Sequence, residues 1–118
     1  MATPDPQAFA EEWVNAWNAH DVDAVLAHFH EDVVFSSPVA ARLFPETSGV
    51  IRGKNALRHY WSTALADHIP DLHFEVVDVY RGESALVIHY RNQNGGLVNE
   101  VLLFDGALVR EGHGTYLN

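Results

Sequence analysis

Apolar residues in the first third of the chain recur every three or four positions, which is the repeat of an amphipathic helix. The stripe consists of Phe9, Trp13, Ala16, Trp17 and His20. A capping residue followed by proline, either Thr3-Pro4 or Asp5-Pro6, precedes the stripe and is typical of a helix start. We therefore predict a long first helix that buries an aromatic face.

Two further helical patterns follow the first. Asp21 can cap a short second helix, whose apolar positions are Val22, Val25, Leu26 and Phe29. A third helix begins after Gly53 and repeats apolar residues at helical spacing. Between these two helices, residues 31–37 alternate like a strand that ends at Pro38. Residues 39–52 then form a long connection, of a kind that often serves as a lid or a pocket wall.

The rest of the chain is typical of four strands joined by tight, glycine-containing turns. The predicted strands span residues 73–81, 84–92, 97–104 and 107–116. Helices followed by a strand meander predict an α+β fold in which helices cover one face of an antiparallel sheet. No linker composition divides the chain, so we expect one domain over residues 1–118.

Composition and charge narrow the classes of partner. The chain has a net charge of −9, and its seven Lys and Arg residues are scattered, so nucleic acid and anionic membranes are excluded as expected partners. It has no cysteine, which excludes disulfides and a Cys-based zinc site. The first twelve residues lack a secretory signal pattern, and no apolar run reaches membrane-spanning length. We therefore expect a cytoplasmic protein.

Glu100 is a carboxylate inside an otherwise apolar strand pattern. Alternation places it on one face with Val98, Leu102 and Phe104. A glutamate in this position either lies on a solvated sheet face or points into a cavity that raises its proton affinity. In the second case it could act as a general acid or base near neutral pH.

The order of motifs along the chain is recognisable. The motifs are Trp13 and Trp17 ahead of Asn18-Ala19-His20-Asp21, then Val33-Val34-Phe35-Ser36-Ser37-Pro38, then Ile51-Arg52-Gly53-Lys54-Asn55-Ala56-Leu57, and last Glu100 ahead of Phe104-Asp105-Gly106. This ordered set resembles SnoaL-like proteins of the nuclear-transport-factor-2-like superfamily over essentially the whole chain.

The resemblance implies a conical α+β barrel, or cystatin-like fold, with three N-terminal helices packed on a curved antiparallel sheet. It also implies a deep apolar pocket at the open end and a homodimer formed through the sheet. The same scaffold carries ketosteroid isomerases, polyketide cyclases, dehydratases, epoxide hydrolases and non-catalytic binding or assembly domains. The fold therefore implies a pocket but not a reaction.

Ketosteroid isomerases are the sharpest comparison within that superfamily. Ser37 occupies the position of their catalytic aspartate, and Trp13 that of their oxyanion tyrosine. Glu100 corresponds to their second pocket acid. Only one of these three positions keeps its chemistry, so steroid isomerisation by that mechanism is rejected.

We predict His89 as the companion of Glu100 in acid–base catalysis. The neighbouring strand alternates Val87, His89 and Arg91 on one side with Ile88 and Tyr90 on the other. Hairpin pairing could then bring His89 close to Glu100, and polyketide cyclases of the family likewise place an acid and a histidine on the sheet floor. The alternative is that His89 lies on the convex face or in a dimer interface.

Aromatic side chains are expected to fill the inside of the cone, partly as core and partly as a ligand wall. The candidate ligand-binding residues are Trp13, Trp17, Phe35, Ser37, Tyr60, Trp61, Val87, Leu102 and Tyr116. On the last strand, Arg110, Gly112, Gly114 and Tyr116 share a predicted face on which the glycines leave open volume or mark a bulge. The sequence predicts no metal site and no cofactor, and Ser36 and Ser37 have no base adjacent in sequence.

Two hypotheses from different classes remain. In the first, the protein is a cofactor-free enzyme of the isomerase, cyclase, dehydratase or epoxide hydrolase type, and Glu100 transfers a proton on a small apolar or polycyclic substrate. In the second, it is a non-catalytic ligand-binding or dimeric assembly module. Apolar side chains on both faces of the strands favour a homodimer in either case.

Overall fold

The computed structural model describes residues 3–118. The first twelve residues, which were searched for a secretory signal in the sequence, therefore lie only partly within the described range. The helices are α1 (Pro6–Asn18), α2 (Val22–Leu26), α3 (Pro38–Leu43) and α4 (Lys54–Thr63), and a π-helical turn over Ala64–His68 continues α4. A single 3-10 turn spans Pro45–Thr47. Within the described range, no helix is both long and apolar enough to cross a membrane.

Six strands form one sheet in the order β2-β1-β6-β5-β4-β3. They are β1 (Phe29–Ser36), β2 (Val50–Arg52), β3 (Glu75–Arg81), β4 (Ala85–Arg91), β5 (Leu97–Asp105) and β6 (Leu108–Tyr116). The α+β prediction is confirmed, and so are the four consecutive C-terminal strands. The prediction of a purely antiparallel sheet is wrong in one pair, because β1 and β6 run parallel. A parallel pair needs a long crossover, and here the whole chain between the two strands supplies it.

Helix starts follow the predicted capping residues. The Asp5 side chain accepts a hydrogen bond from the Ala8 backbone N–H at 2.9 Å and begins α1, with Pro6 in the first turn. Asp21 accepts from the Ala24 N–H at 3.1 Å and begins α2 in the same way. The predicted aromatic stripe of α1 packs into the core through three buried residues, Phe9, Trp13 and Trp17.

The connection predicted over residues 39–52 has structure of its own. Ser37 caps α3 by accepting a hydrogen bond from the Val39 N–H at 3.1 Å, and Pro38 opens the helix. The chain then makes the 3-10 turn and forms β2, which pairs antiparallel with β1. A six-residue helix and a three-residue strand are too short to give a clear periodic signal, which is why the pattern indicated only a long connection.

The sheet has an inner face, covered by the helices, and an outer face. On β5, Val98, Glu100, Leu102 and Phe104 are all buried on the inner face, as the alternation predicted. On β4, the buried inner residues are Leu86, Ile88 and Tyr90. The residues between them, Val87 and His89, therefore lie on the outer face.

A bulge in β6 changes the parity of the last strand. The β5–β6 register shifts between Leu103 and Phe104, so that both Val109 and Gly112 are buried. Arg110 is exposed and does not share the inner face with Gly112. The predicted common face of Arg110, Gly112, Gly114 and Tyr116 is thus wrong at its first member, because the extra residue of the bulge reverses the alternation there.

Candidate acid–base site

A cavity of about 70 Å³ lies between the helices and the inner face of the sheet. Helix α1 contributes Trp13 and Trp17 to its wall, and β1 contributes Phe35. Helix α4 contributes Tyr60 and Trp61. Five of the aromatic residues selected from the sequence therefore meet around one enclosed space.

These aromatic rings pack mainly edge to face, which holds the wall in one arrangement. The ring centroids of Trp17 and Trp61 are 4.9 Å apart, and those of Phe35 and Trp61 are 5.4 Å apart. Trp13 lies 5.2 Å from Tyr90 across the cavity floor. These contacts join the rings into one continuous aromatic wall.

The π-helical turn after α4 completes the helical wall. It brings Ala64 and Leu65 to the cavity, and the Ile69 N–H closes the turn by donating to the Ala64 carbonyl oxygen at 2.7 Å. A π-helical turn contains one more residue than an α-helical turn and is frequent at functional sites. Here the extra residue widens the turn beside the cavity.

Glu100 is the acidic residue that lines this cavity, and its side chain is almost completely buried, with 7% of the residue exposed. Its strand partners are Ile88 on β4 and Gly114 on β6. The Tyr90 hydroxyl donates a hydrogen bond to Glu100 Oε1 at 3.3 Å. Burial raises the pKa of Glu100 to about 7, while the Tyr90 hydrogen bond lowers it. Near neutral pH the carboxyl group can therefore either accept or donate a proton.

Two buried tyrosines stay protonated around this carboxylate. Burial, together with the charge of Glu100, raises the pKa of Tyr90 well above its ordinary value. Burial likewise raises the pKa of Tyr60, with contributions from Tyr116 and Glu100, while the Ser37 hydroxyl acts in the opposite direction. Both phenols are hydrogen-bond donors at physiological pH.

Gly114 keeps Ser37 against the sheet opposite Glu100. A Cβ atom at Gly114 would lie 3.4 Å from Ser37 Oγ, so the two residues are already in close contact. Ser37 is buried and lines the cavity, as predicted from its sequence position. Gly112 has a different role, because a Cβ there would lie 3.3 Å from a methyl carbon of Leu102 and 3.4 Å from the Phe35 ring. Gly112 therefore serves core packing rather than open volume for a ligand.

His89 does not accompany Glu100. It lies on the outer face, where its Nδ1 is 2.7 Å from the Asn99 side-chain oxygen. Its neighbours across the strands are Asp78 and Asn99. The predicted pairing is wrong because the apolar set Leu86, Ile88 and Tyr90 occupies the inner face of β4, which leaves the alternate positions outside.

Two predicted ligand-binding residues also lie away from the cavity wall. Val87 shares the outer face with His89, for the reason just given. Leu102 is on the inner face but is fully buried in the core below the cavity. Tyr116 lines the cavity at its rim, and 41% of the residue is exposed.

Tyr90 lines the cavity but is not among the site residues that the sequence predicts. It donates to Glu100 and packs on Phe74 with ring centroids 4.4 Å apart. The signal was present in β4, since Leu86, Ile88 and Tyr90 form a more apolar set than Val87, His89 and Arg91. Choosing the more apolar set as the inner face would have placed Tyr90 beside Glu100.

A wider vestibule of about 570 Å³ opens outside the cavity. The two spaces share Val39, Ile69, Leu72, Phe74, Tyr90 and Tyr116. The wall of the vestibule is more polar and includes Arg42, His68, Asp71 and Asn92. A molecule in the vestibule could thus extend its apolar end into the cavity.

The outer face carries a separate polar cluster. Ser36 Oγ lies 2.5 Å from His113 Nδ1, and His113 Nε2 lies 2.8 Å from Glu111 Oε1. The prediction that Ser36 has no base nearby holds only along the sequence, because the parallel pairing of β1 with β6 brings His113 opposite Ser36. None of the three residues lines the cavity or the vestibule. Across residues 3–118, no group of three His, Cys, Asp or Glu residues is arranged to hold a metal ion.

Comparisons with known proteins agree on one fold. The model of the SnoaL-like domain matches residues 10–107. The crystal structure of a SnoaL-like protein of unknown function from Burkholderia thailandensis is 39% identical, with a TM-score of 0.88, and the match covers 97% of this chain and 100% of that one. No curated protein matches the sequence.

More distant solved structures share the fold alone. An NTF2-like protein of unknown function from Cytophaga hutchinsonii is 13% identical with a TM-score of 0.73, over 99% of this chain and 95% of that one. A candidate polyketide cyclase from Sinorhizobium meliloti is 11% identical with a TM-score of 0.74, over 92% of this chain and 94% of that one.

Proposed function

The chain belongs to the SnoaL-like domain family, as its motifs indicated, and on that premise we propose that it binds a small apolar molecule and transfers a proton with Glu100. The observation that carries the proposal is a buried carboxyl group at the wall of an aromatic cavity, with its pKa raised to about 7. A carboxylate left in the core for packing alone would destabilise the fold, whereas a general acid or base needs this proton affinity.

The arrangement suits abstraction of a proton next to a carbonyl group. The Glu100 carboxylate takes a proton from the carbon beside the carbonyl, and the C–H electron pair moves to give an enolate. Tyr60 lines the same cavity and keeps its own proton, so its hydroxyl can donate to the enolate oxygen. Return of the proton from Glu100 to the same carbon after exchange with solvent gives deuterium exchange, and its return to another carbon of the enolate system gives isomerisation. In an aldol-type cyclisation the enolate carbon instead forms a bond to a second carbonyl carbon of the substrate, and Glu100 gives its proton to the alkoxide oxygen that results.

The size of the cavity limits the ligand. Its volume of about 70 Å³ is roughly half of the ~150 Å³ that holds a benzene molecule in an engineered protein cavity. A polycyclic ligand would need the aromatic wall to move, so we favour a small ketone or the apolar end of a longer molecule. Of the small apolar and polycyclic molecules expected from the sequence, we therefore favour the small apolar ones.

Deuterium exchange tests the proposed proton transfer. The protein is incubated with 2-butanone in D₂O at neutral pH, and loss of the proton signals beside the carbonyl is followed by NMR. We expect the wild type to accelerate exchange and the Glu100→Gln variant to lose on the order of a hundredfold or more of that acceleration. The His89→Gln variant is the matched control from the outer face and should exchange like the wild type. Equal acceleration by wild type and Glu100→Gln would remove Glu100 from the reaction.

A second role, assembly through the outer face, is favoured by apolar residues exposed there. Tyr80 is 57% exposed, and it lies opposite Val87, which in turn lies opposite Val101. We propose that this row pairs with a second copy of the chain, because burying it removes apolar surface from water. Sedimentation analysis should give a dimer for the wild type and a monomer for Tyr80→Lys. A monomeric wild type at micromolar concentration would reject the dimer.

A further inference from the structure

We propose that Arg42 binds a carboxylate on the ligand, so that the natural ligand is a short-chain oxo acid whose apolar end reaches Glu100. This inference rests on the proposed function, since it assigns the substrate class of the same site. The acid group would lie in the vestibule, and the carbonyl end would lie in the cavity.

The two connected spaces carry the first part of the argument. The inner cavity is small and mainly aromatic, whereas the vestibule is larger and more polar. Ring and aliphatic side chains such as Phe74, Leu72 and Val39 form the passage between them. A ligand that fills both spaces is therefore apolar at one end and polar at the other.

The charge in the vestibule carries the second part. Arg42, in the last turn of α3, is the one Arg or Lys residue that lines either space in the described chain. Within residues 3–118 its guanidinium group makes no ion pair with a carboxylate. Other arginines do make such pairs, as Arg58 does with Asp23 at 2.9 Å. Arg42 thus keeps its hydrogen-bond donors for a ligand, and a guanidinium group matches a carboxylate in bidentate geometry.

The field of Arg42 also reaches the cavity. It acts against the burial that raises the pKa of Tyr60 and of Tyr116, and both of these phenols line the cavity. Asp71 and His68 are the other titratable vestibule residues, apart from Tyr90 and Tyr116. The chain as a whole has a charge of −9, which repels anions at long range, so selection of an acid must come from this local cation.

The arrangement keeps the carboxylate of the ligand away from the carboxyl group of Glu100. A ligand carboxylate at Arg42 is in the vestibule, while Glu100 lines the inner cavity and not the vestibule. The ligand's carbonyl group must then be separated from its carboxylate by a short apolar chain. The 5-oxohexanoate ion has this form and serves as the probe.

Intrinsic fluorescence provides a readout of binding, because all three tryptophans of the chain line the cavity. We would titrate 5-oxohexanoate and its neutral counterpart 5-oxohexanamide into three proteins: wild type, Arg42→Gln and Arg58→Gln. The two probes differ in charge but hardly in shape. The Arg58→Gln variant removes an arginine that lies outside the vestibule.

The wild type should bind the acid about tenfold tighter than the amide, which corresponds to one charge-assisted contact. The Arg42→Gln variant should bind both probes equally, and the Arg58→Gln variant should keep the preference for the acid. Equal binding of acid and amide by the wild type overturns the role of Arg42 and leaves the proposed function intact. Failure of both probes to bind also overturns it, and exchange of 2-butanone then decides separately whether Glu100 transfers protons.

Discussion

Two glutamates on neighbouring strands of one sheet show how its two faces differ. Glu100 lines the inner cavity with 7% of the residue exposed, and its hydrogen-bond partner is the Tyr90 hydroxyl. The Glu111 side chain is 34% exposed on the outer face, where it contacts both Arg110 and His113. The inner carboxylate has lost water and gained one neutral donor, while the outer one keeps water and the Arg110 cation.

The same contrast applies to residue types. Ser36, His113 and Glu111 are the types that make up nucleophilic triads, and they are linked by short contacts on the outer face. They line neither the cavity nor the vestibule. The inner site has fewer polar residues but encloses its carboxylate. Seclusion from water, more than the set of residue types, distinguishes the site that we propose for catalysis.

The largest difference between the two faces should appear in how much a truncated side chain lowers the free energy of unfolding. Leu102→Ala removes a fully buried side chain on the inner face and should lower the free energy of unfolding by about 2–5 kcal/mol. Leu103→Ala, one residue later on the outer face and outside the row formed by Tyr80, Val87 and Val101, should lower it by only about 1 kcal/mol because Leu103 is half-buried. Chemical denaturation of the two variants measures both losses. Similar losses at the two positions would contradict the assignment of the faces.

The second-largest effect should be the influence of the buried Glu100 on how the free energy of unfolding changes with pH. The pKa of this group is raised from 4.5 to about 7 in the folded state, so between these values the folded protein holds a proton that the unfolded chain has released. Stability should therefore fall as pH rises through this window, by about 3 kcal/mol in total, and then level off. Glu100→Gln removes the titrating group, so denaturation from pH 4 to pH 8 should show its advantage over the wild type growing across the window. A constant difference between the two proteins would show that folding does not change the pKa of Glu100.

Removing the Tyr90 hydroxyl, which donates a hydrogen bond to Glu100, should cause a smaller change, in the pKa of Glu100. Tyr90→Phe removes the hydrogen bond that lowers the pKa of Glu100, so that pKa should rise further, by about one unit or less. Tyr80→Phe on the outer face is the matched control and should leave the titration of Glu100 unchanged. Carboxyl-detected NMR measures both variants. A lower pKa of Glu100 in Tyr90→Phe would show that the hydroxyl does not stabilise its charged form.

The smallest effect is expected at His89. His89→Gln replaces an outer-face side chain whose ring nitrogen contacts Asn99, and we expect ketone exchange within experimental error of the wild type. Deuterium exchange of 2-butanone in D₂O, followed by NMR, measures the rate. A loss of exchange comparable to that of Glu100→Gln would show that His89 reaches the reacting groups after all.

Much of the fold follows from local signals in the sequence. The capped aromatic helix α1 and the three C-terminal hairpins depend on residues close in sequence, so periodicity and turn chemistry locate them. The parallel pairing of β1 with β6 joins distant segments, and no local pattern encodes it. The bulge in β6 likewise appears only once its partner strand is known.

The candidate site could be predicted only where local patterns in the sequence place its residues. The alternation of β5 places Glu100 on the inner face, and the helical stripes place Trp13 and Trp61 at its cavity. The inner face of β4 follows from comparing its two sets of residues, of which Leu86, Ile88 and Tyr90 is the more apolar. The prediction of His89 gave more weight to its side-chain chemistry than to this comparison. Arg42 was not predicted because α3 is too short to give a clear helical pattern.

The most direct test of the central claim is the titration of the Glu100 carboxyl group itself. Carboxyl-detected NMR of the wild type gives the curve, and Glu100→Gln identifies its signal by removing it. Burial in the aromatic cavity predicts a pKa of about 7. A value near the ordinary 4.5 would mean that Glu100 is hydrated or held by charged partners, and the proposed acid–base chemistry would lose its central residue.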